Sequence, residues 1–372
     1  MPHLRLTRTD APEREAPDEH LDAFARRLLE VVVEHRPAVL HAHSGHRGYE
    51  LALVALAVGR ATGIPVVYEV RGLFEAVWTA DVDRATRSEL YRLRRELETR
   101  VLAEADAVVT LSDSMREDIV QRPSTRDGLA PDPAAVVVVP NGVDAAAIAP
   151  REPRTDLRAR LGLADGFVVG YVSNLDHPRE GQETLVEAVA LLRRRGLAVD
   201  GLLVGGGQRQ EALERLAAER GVAEHVVLTG QVPHDEVGDY YALLDVFVVP
   251  RIDERAARLV TPLKPYEAMS MGLPVVVSAL PALLEIVVED ERGATFPPGD
   301  AQALADVLED LLADPGRRSS MARAARSWVR EQRTWGAIAT RYDRVYEIAL
   351  AGREVRSAGR VGEPAHGLDE GA

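Results

Sequence analysis

Short apolar runs alternate with amphipathic segments along most of the chain. The runs "FVVGYVS", "DGLLVGGG" and "DVFVVP" are apolar at nearly every position, as in strands of a parallel sheet covered on both faces. The segments between them, such as residues 182–195, repeat apolar residues every three or four positions, as amphipathic helices do. This alternation predicts an α/β protein built on parallel sheets.

The pattern divides into two blocks. The first contains four apolar runs, "AVLHAHS", "IPVVYEV", "DAVVTLS" and "AVVVVPNGVD", and the second contains six, from "FVVGYVS" to "GATFPP". The passage "AIAPREPRTDLRARLGL", rich in proline and charge, is predicted to link them, and one long helix is predicted over 84–104. We therefore predict two doubly wound, Rossmann-like domains over 18–150 and 151–334, an amphipathic helix over 335–350, and disordered ends at 1–17 and 351–372.

Composition narrows the class of protein. The 372 residues are 46% apolar, enough for two cores, yet no apolar run approaches the ~20 residues of a membrane span. The polar first 20 residues do not resemble a signal peptide, and the absence of cysteine fits a reducing cytoplasm, which is the predicted location. A net charge of −14 disfavours nucleic acid as a partner and allows at most peripheral membrane contact.

The stretch "TPLKPYEAMSMG" carries the first candidate chemistry. Pro265 suits the first position of a helix, where free backbone N–H groups attract anions, and Lys264 just outside adds a full positive charge. Glu267 in the first turn can accept hydrogen bonds from sugar hydroxyls. A helix cap with charges matched to the helix dipole explains the same pattern, so this stretch alone does not decide a function.

Four longer segments occur in one order, and together they resemble a known family. They are "PNGVD", "VGGGQRQEALERLA", "VVLTGQVPHDEVGDYYALLDVFVVPR" and "YEAMSMGLPVVVSALPALLEIVVED". Over roughly residues 36–350 the chain resembles family 4 glycosyltransferases of the GT-B fold, which have two facing Rossmann-like domains. The segments "HAHS", "VVYEVRGLFE" and "VTPLKPYEAM" are similar to a subgroup found in bacterial capsule, exopolysaccharide and exosortase-linked clusters.

This resemblance implies an activity and its substrates. It implies transfer of a sugar, with retention, from a nucleotide-diphosphate sugar to an acceptor hydroxyl in cell-surface polysaccharide or glycoconjugate synthesis. The donor is a substrate, and no cofactor or obligatory metal is expected. The acceptor is expected to be a sugar, a lipid-linked molecule or another small molecule. The resemblance also implies that the helix over 335–350 crosses back to brace the first domain.

The resemblance assigns the donor site residue by residue. Glu267 is expected to hold the donor ribose, the backbone at Val232 to read the nucleobase, and the loop at Thr261 and Leu263 to approach the diphosphate and sugar. The other expected donor-binding residues lie in loops after the first two strands of the second domain: Ser173, Asn174, Gly205 and Gly206.

Three positions depart from the family pattern. Leu259 occupies the place of a carboxylate that usually contacts the sugar ring, Asn174 lies near the place of an arginine, and Glu180 occupies the place of a lysine. A buried diphosphate without cations is very costly. From the run "RIDERAARLVTPLK" we predict that Arg258 and Lys264 replace the missing charges, with Arg179 as a third candidate.

The first domain supplies further candidates. His41 and His43 alternate along a strand and so share one face. Their spacing suits a metal, but no carboxylate cluster accompanies them in the sequence, and we predict no metal site. His43 or His46 is expected to face the cleft at the carboxyl end of the strand, and Arg71 stands where many relatives carry a histidine beside the reacting sugar. His43, Arg71 and Lys264 are the predicted catalytic residues, although a surface ion pair also explains Arg71.

Two alternatives remain open at this point. With four strands, and nothing before residue 18 that resembles the family's opening strand and glycine-bearing loop, the first domain is expected to be incomplete. The chain could then be an inactive nucleotide- or partner-binding GT-B fragment. A GT-B sugar-nucleotide epimerase is the other alternative, and Leu259 at a carboxylate position argues against it.

Overall fold

Two parallel β-sheets form the framework of the protein. The computed structural model describes residues 17–45, 48–76, 82–163 and 166–360. The strands are β1 (Leu40–His43), β2 (Val66–Val70), β3 (Ala107–Thr110), β4 (Val136–Val138), β5 (Phe167–Val172), β6 (Val199–Val204), β7 (Val226–Leu228), β8 (Val246–Val249), β9 (Val275–Ser278) and β10 (Ala294–Phe296). The first sheet has the order β1-β2-β3-β4 and the second the order β10-β9-β8-β5-β6-β7. The predicted α/β class with two Rossmann-like domains is confirmed.

Helices connect and cover these strands. In the first domain they are α1 (Pro17–His35), α2 (Glu50–Thr62), α3 (Val82–Arg87), α4 (Glu89–Glu104) and α5 (Asp113–Val120). In the second domain they are α6 (Thr155–Arg160), α7 (Gln182–Arg194), α8 (Gln210–Glu219), α9 (Val237–Tyr241), α10 (Arg255–Leu259), α11 (Lys264–Ser270), α12 (Pro281–Leu284), α13 (Ala301–Ala313) and α14 (Pro315–Gln332). The chain then continues in α15 (Trp335–Ala339) and α16 (Arg341–Arg360). None of the described helices is both long enough and apolar enough to cross a bilayer.

The helix predictions differ from the structure in several places. The helix predicted over 84–104 is two helices, because Ser88 has an extended backbone and its Oγ accepts from the Tyr91 N–H at 3.0 Å, which caps α4. The passage predicted as a linker contains the short α6. The 18-residue α14 has no counterpart among the predicted helices, because it buries few residues, two of them alanines, in a strongly charged segment.

The end of the chain joins the two domains. Ile338 of α15 and Val345 and Ala349 of α16 pack in one buried cluster with Val67 and Val109 of the first sheet. The final helix therefore covers the first domain, although it follows the second domain in sequence. It continues to Arg360, past the predicted end at 350, because no proline interrupts its backbone hydrogen bonding.

The chain passes between the domains at two adjacent places. The Val143 N–H donates to the Arg333 carbonyl at 2.8 Å, and Val143 pairs with Thr334. Gly142 has no room for a side chain there, since a Cβ would lie 2.6 Å from Ile338. This side-by-side crossing places the loops that follow β1 and β2 opposite those that follow β5 and β8.

Candidate active site

A cavity of about 590 Å³ lies between the two domains. Its lining comes from segments that follow β1 and β2 in the first domain and β5 and β8 in the second. Ligands of open α/β sheets bind at the carboxyl ends of the strands, so this interdomain cavity is the candidate active site. Arg71, Arg179 and Arg251 line it together with His177, and none of the described lining residues is a carboxylate.

Arg71 reaches the cavity from the end of β2, and three hydrogen bonds hold it. Its Nη1 donates to Glu69 Oε1 at 2.6 Å, and its Nη2 donates to Asn141 Oδ1 at 3.0 Å. Its backbone N–H donates to Ser44 Oγ at 2.8 Å, which ties the end of β2 to the end of β1. The predicted catalytic residue Arg71 therefore lies in the cavity with its guanidinium held by two acceptors.

Glu69 is the buried anion behind Arg71. Its Oε2 accepts from the Tyr342 hydroxyl of α16 at 2.7 Å. His41 Nε2 lies 3.2 Å from Oε2, and His43 Nδ1 lies 3.5 Å from Oε1. Burial raises the pKa of Glu69, but the hydrogen bonds from these four neighbours outweigh burial and hold the pKa well below its usual range. Glu69 therefore stays ionised and keeps Arg71 in place.

The histidine pair belongs to this ion-pair cluster. The rings of His41 and His43 stack with centroids 4.5 Å apart, and their nitrogens and a Glu69 oxygen all lie within 4.8 Å of one another. Such a donor set suits a transition metal. The premise in the sequence was that no carboxylate cluster accompanies the histidines; the structure places one carboxylate, Glu69, beside them, and the absence of a metal site stays a prediction. Glu69 comes from the neighbouring strand, in register with His43. Its two oxygens already accept from Arg71 and Tyr342, and in this arrangement the cluster serves to position Arg71.

His43 itself is half exposed and is not among the residues lining the cavity, although its neighbour Ser44 is. His46, the other histidine predicted to face the cleft, lies outside the described residues. A catalytic role for His43 stays a prediction.

The depressed pKa of Glu69 makes a testable contribution to stability. This contribution is complete above the pKa of about 4.5 that Glu69 has in the unfolded chain, and it is lost as the pH falls toward the lower folded value. The stability advantage of the wild type over Glu69→Gln is therefore expected to shrink below pH 4.5, by at most about 1.4 kcal/mol per pH unit. Urea denaturation between pH 5.0 and 3.5, where carboxyl groups rather than imidazoles titrate, measures it; an advantage that stays constant or grows contradicts the prediction.

The second domain contributes two arginines to the cavity. Arg179 lies in a turn after β5, and Arg251 follows Pro250 at the end of β8. Arg251 is buried, and its guanidinium pairs with Glu180, with Nε 3.1 Å from Oε2 and Nη2 3.0 Å from Oε1. Burial raises the pKa of Glu180, but Arg251 and the Tyr171 hydroxyl outweigh burial and lower it. Glu180, which stands where a lysine was expected, is thus the ion-pair partner of another cation, Arg251.

Lys264 and Arg258, the predicted replacement cations, do not line the cavity. The Lys264 ammonium donates to Glu267 Oε2 at 3.1 Å, and Arg258 forms an ion pair with Asp253. The same Glu267 oxygen accepts from the Tyr241 hydroxyl at 2.8 Å. Each predicted cation is therefore neutralised within its own segment, and their diphosphate role stays a prediction.

Glycines bring the predicted nucleotide loops together. Gly205 has a φ of +134°, and a Cβ on it would lie 2.0 Å from the Ser173 carbonyl oxygen. A Cβ on Gly206 would lie 3.0 Å from the Gln231 nitrogen, so the loops after β5, β6 and β7 touch only because glycine stands there. The predicted donor-binding residues that this contact gathers are Ser173, Asn174, Gly205, Gly206 and Val232.

The predicted diphosphate loop is tied to the first domain. Asn141, which accepts from Arg71, donates through Nδ2 to the Thr261 carbonyl at 2.9 Å. Leu259 packs against the apolar core of the first domain, and its carbonyl accepts from Ser112 Oγ at 2.6 Å. The apolar residue at 259 is therefore part of the contact between domains. Leu263 is partly exposed where α11 begins.

Sequence reasoning missed Glu69, Asn141 and the pairing of Glu180 with Arg251. Asn141 lies in the "PNGVD" motif, and Arg251 closes the segment "DVFVVPR", so both stood within recognised motifs. Nothing local identified their partners, which are far away in sequence.

Comparison with known proteins identifies the class. The family model described as Glycosyl transferase 4-like domain matches residues 1–142, and the model described as Glycosyl transferases group 1 matches residues 166–314. The two matches follow one another and together account for most of the chain. The chain belongs to the group 1 glycosyltransferases, and its fold is GT-B.

Several relatives are similar over part or most of the chain. A GDP-mannose-dependent alpha-(1-6)-phosphatidylinositol monomannoside mannosyltransferase of Mycolicibacterium smegmatis is 37% identical over 60% of this chain and 59% of its own length. A D-inositol 3-phosphate glycosyltransferase of Kineococcus radiotolerans is 32% identical over 72% of this chain and 62% of its own length. The chain thus spans about three fifths of these relatives.

Among solved structures, a sucrose-phosphate synthase from Thermosynechococcus elongatus is similar with a TM-score of 0.71 and 26% identity, over 91% of this chain and 79% of that one. An Anabaena protein, HepE, solved in complex with UDP, has a TM-score of 0.70 at 20% identity, over 87% of this chain and 81% of that one. The similarity to HepE concerns the fold alone. The relation to the capsule and exosortase subgroup stays a prediction.

Proposed function

We propose that the protein transfers a sugar from a nucleotide-diphosphate sugar to an acceptor hydroxyl within the interdomain cavity. The observation that carries this proposal is the lining of the cavity, where guanidinium groups from both domains face one space. Arg71 comes from the first domain, and Arg179 and Arg251 come from the second. Guanidinium groups suit phosphate oxygens, which they bind through charge-assisted hydrogen bonds.

The chemistry we propose needs no protein nucleophile. The bond between the sugar C1 and the diphosphate oxygen breaks, and a bond between C1 and the acceptor oxygen forms. The acceptor proton passes to an oxygen of the departing diphosphate, whose negative charge the arginines stabilise. The lack of a carboxylate among the described lining residues supports this route, and retention at C1 is part of the proposal.

The relatives suggest the substrates to try first. Two of them act, by name, on a phosphatidylinositol monomannoside and on D-inositol 3-phosphate, and one of these uses GDP-mannose. We propose GDP-mannose as the donor and an inositol- or sugar-type hydroxyl as the acceptor, in the synthesis of a glycoconjugate, and UDP-glucose is the donor compared with it.

A ligand panel tests the proposal. Thermal unfolding is measured with GDP, UDP, GDP-mannose and UDP-glucose, and at one hundred times the Kd a ligand is expected to add about 2.7 kcal/mol of stability and raise the Tm by several degrees. Nucleotide release with and without inositol phosphate or mannoside acceptors is then followed, and the product anomer is assigned by NMR. Binding without turnover favours the alternative of an inactive nucleotide-binding protein. The absence of both binding and turnover contradicts the proposal.

A further inference from the structure

We propose that Arg251 supplies the diphosphate-binding cation that the family resemblance led us to expect at position 180, where this chain has Glu180. Glu180 is then a positioning residue that presents Arg251 to the cavity. This inference rests on the proposed function, since it names which cation of the interdomain cavity meets the donor diphosphate.

The contacts of Arg251 leave it free to bind an anion. Glu180 accepts from Nε and Nη2 of Arg251, and the Val260 carbonyl accepts from Nη1 at 2.9 Å. A guanidinium has five N–H groups, so these three hydrogen bonds do not use all of them, and the Tyr171 hydroxyl is a further neighbour of the guanidinium. Arg251 lines the cavity, whereas Glu180 does not. The cation therefore faces the cavity with its counter-charge behind it.

The backbone fixes this pairing. Gly181 follows Glu180 with a φ of +69°, and a Cβ on it would lie 1.9 Å from the Pro250 carbonyl oxygen. The turn after β5 is thus pressed directly against the end of β8, which places residue 180 beside residue 251. The Tyr171 hydroxyl also donates to Glu180, so β5 and the segment after β8 both hold the carboxylate.

The charge around the cavity favours Arg251 over the earlier candidates. Lys264 and Arg258 each bind a carboxylate of their own segment and lie outside the lining. Arg251 and Arg179 both pair with the carboxylate of Glu180, and both line the cavity. A diphosphate that enters the cavity therefore meets two guanidinium groups where β5 and β8 end.

The experiment removes both charges of the pair at once. Arg251→Ala alone would leave Glu180 buried without a partner, so the principal variant is Glu180→Gln with Arg251→Gln, which leaves no uncompensated buried charge. Calorimetry measures the Kd of GDP, UDP and inorganic pyrophosphate, with guanosine and uridine as ligands that lack the diphosphate. We expect affinity for the diphosphates to fall about 10- to 100-fold and affinity for the nucleosides to stay within threefold.

Further variants keep the outcome interpretable. The control is Arg195→Gln, whose partners lie on α13 and which is expected to change diphosphate affinity by less than threefold. Lys264→Gln and Arg258→Gln are measured beside it, because a larger loss of affinity in either of them than in the Arg251 variants would assign the diphosphate to that residue. If the double variant does not fold by circular dichroism, Arg251→Lys replaces it, because lysine keeps the charge but cannot pair bidentately. Arg251→Lys is expected to weaken diphosphate binding about three- to tenfold.

The possible results separate this inference from the proposed function. Diphosphate affinity that is unchanged in the folded Arg251 variants, or that is lost instead in Lys264→Gln, overturns the inference and leaves the proposed function standing. Pyrophosphate binding that depends on Arg251, without binding of any nucleotide, supports the inference and counts against the proposed function. A wild-type protein that binds neither pyrophosphate nor nucleotides overturns both.

Discussion

Replacing Arg122 with methionine is expected to lower the free energy of unfolding by about 3–5 kcal/mol. The Arg122 side chain is completely buried, and its Nη1 donates to Glu98 Oε2 at 2.9 Å. Its other nitrogens lie 3.6 Å from Glu75 Oε1 and 3.6 Å from Asp118 Oδ2. Methionine fills much of the same space but leaves these carboxylates without their central cation, and removing one partner of a buried ion pair is costly.

The measurement is urea denaturation followed by circular dichroism at pH 7, with Arg126→Met as the matched control. Arg126 is 87% exposed and pairs with Glu96 at 3.3 Å, so its replacement should change stability by less than about 1 kcal/mol. Burial already raises the pKa of Glu98 despite the neighbouring Arg122. Without Arg122, protonation of Glu98 relieves the penalty, so the deficit should shrink as the pH is lowered toward 5. A loss below 1 kcal/mol at pH 7 would show that the cluster is not central to stability.

The same cluster connects the domains. Asp118 accepts from both terminal nitrogens of Arg255 at 2.7 Å, and Arg255 belongs to α10 of the second domain. Arg255 also lies 3.5 Å from Glu75. Loss of Arg122 therefore removes support from the interface that shapes the interdomain cavity as well as from the first domain.

The second large effect is expected from Arg71→Ala, which should lower kcat for sugar transfer by about 10²–10³-fold. Arg71 is the cation that the first domain contributes to the described lining of the cavity. Its loss removes a positive charge that stabilises the departing diphosphate. Nucleotide affinity should fall less than kcat, since Arg179 and Arg251 remain. Kinetics with whichever nucleotide sugar of the panel turns over, together with the Kd of the free nucleotide, separates the two effects.

Arg92→Ala on the exposed face of α4 is the control, because it removes an arginine from the same domain without touching the cavity. Thermal unfolding of both variants tests for a general loss of structure. None is expected, because Glu69 keeps its hydrogen bond from Tyr342 when Arg71 is gone. A kcat that stays within threefold of the wild type would remove Arg71 from the proposed reaction.

The ion pairs of the second domain could not be predicted from the sequence. The prediction that Lys264 and Arg258 replace missing cations considered charges near one another along the chain. The structure neutralises each of them with a carboxylate three or five residues away and places Arg251 in the cavity instead. The partner of Arg251 is Glu180, which lies 71 positions earlier. Such a pairing depends on parallel strands that are adjacent in the sheet and distant in the chain.

In the first domain, the sequence likewise placed the two histidines but not their partners. The alternation of His41 and His43 placed both on one face of a strand, as the structure has them, stacked against each other. The carboxylate beside them could not be found by spacing along β1, because Glu69 belongs to β2 and becomes their neighbour only through the register of the two strands. The Tyr342 hydroxyl that completes the cluster arrives from a helix that follows the second domain.

The sequence by itself determined the ten strands, the division into two wound domains and the family, because apolar periodicity and motif order are local properties of the chain. Only the tertiary structure decided which charges face the cavity and which are neutralised, because an ion pair forms between side chains that the fold brings within a few ångströms. That is why Arg251, backed by the buried Glu180, emerged as a cavity cation only once β5 and β8 were in place, whereas Arg71 and Arg179 were already candidates from the sequence.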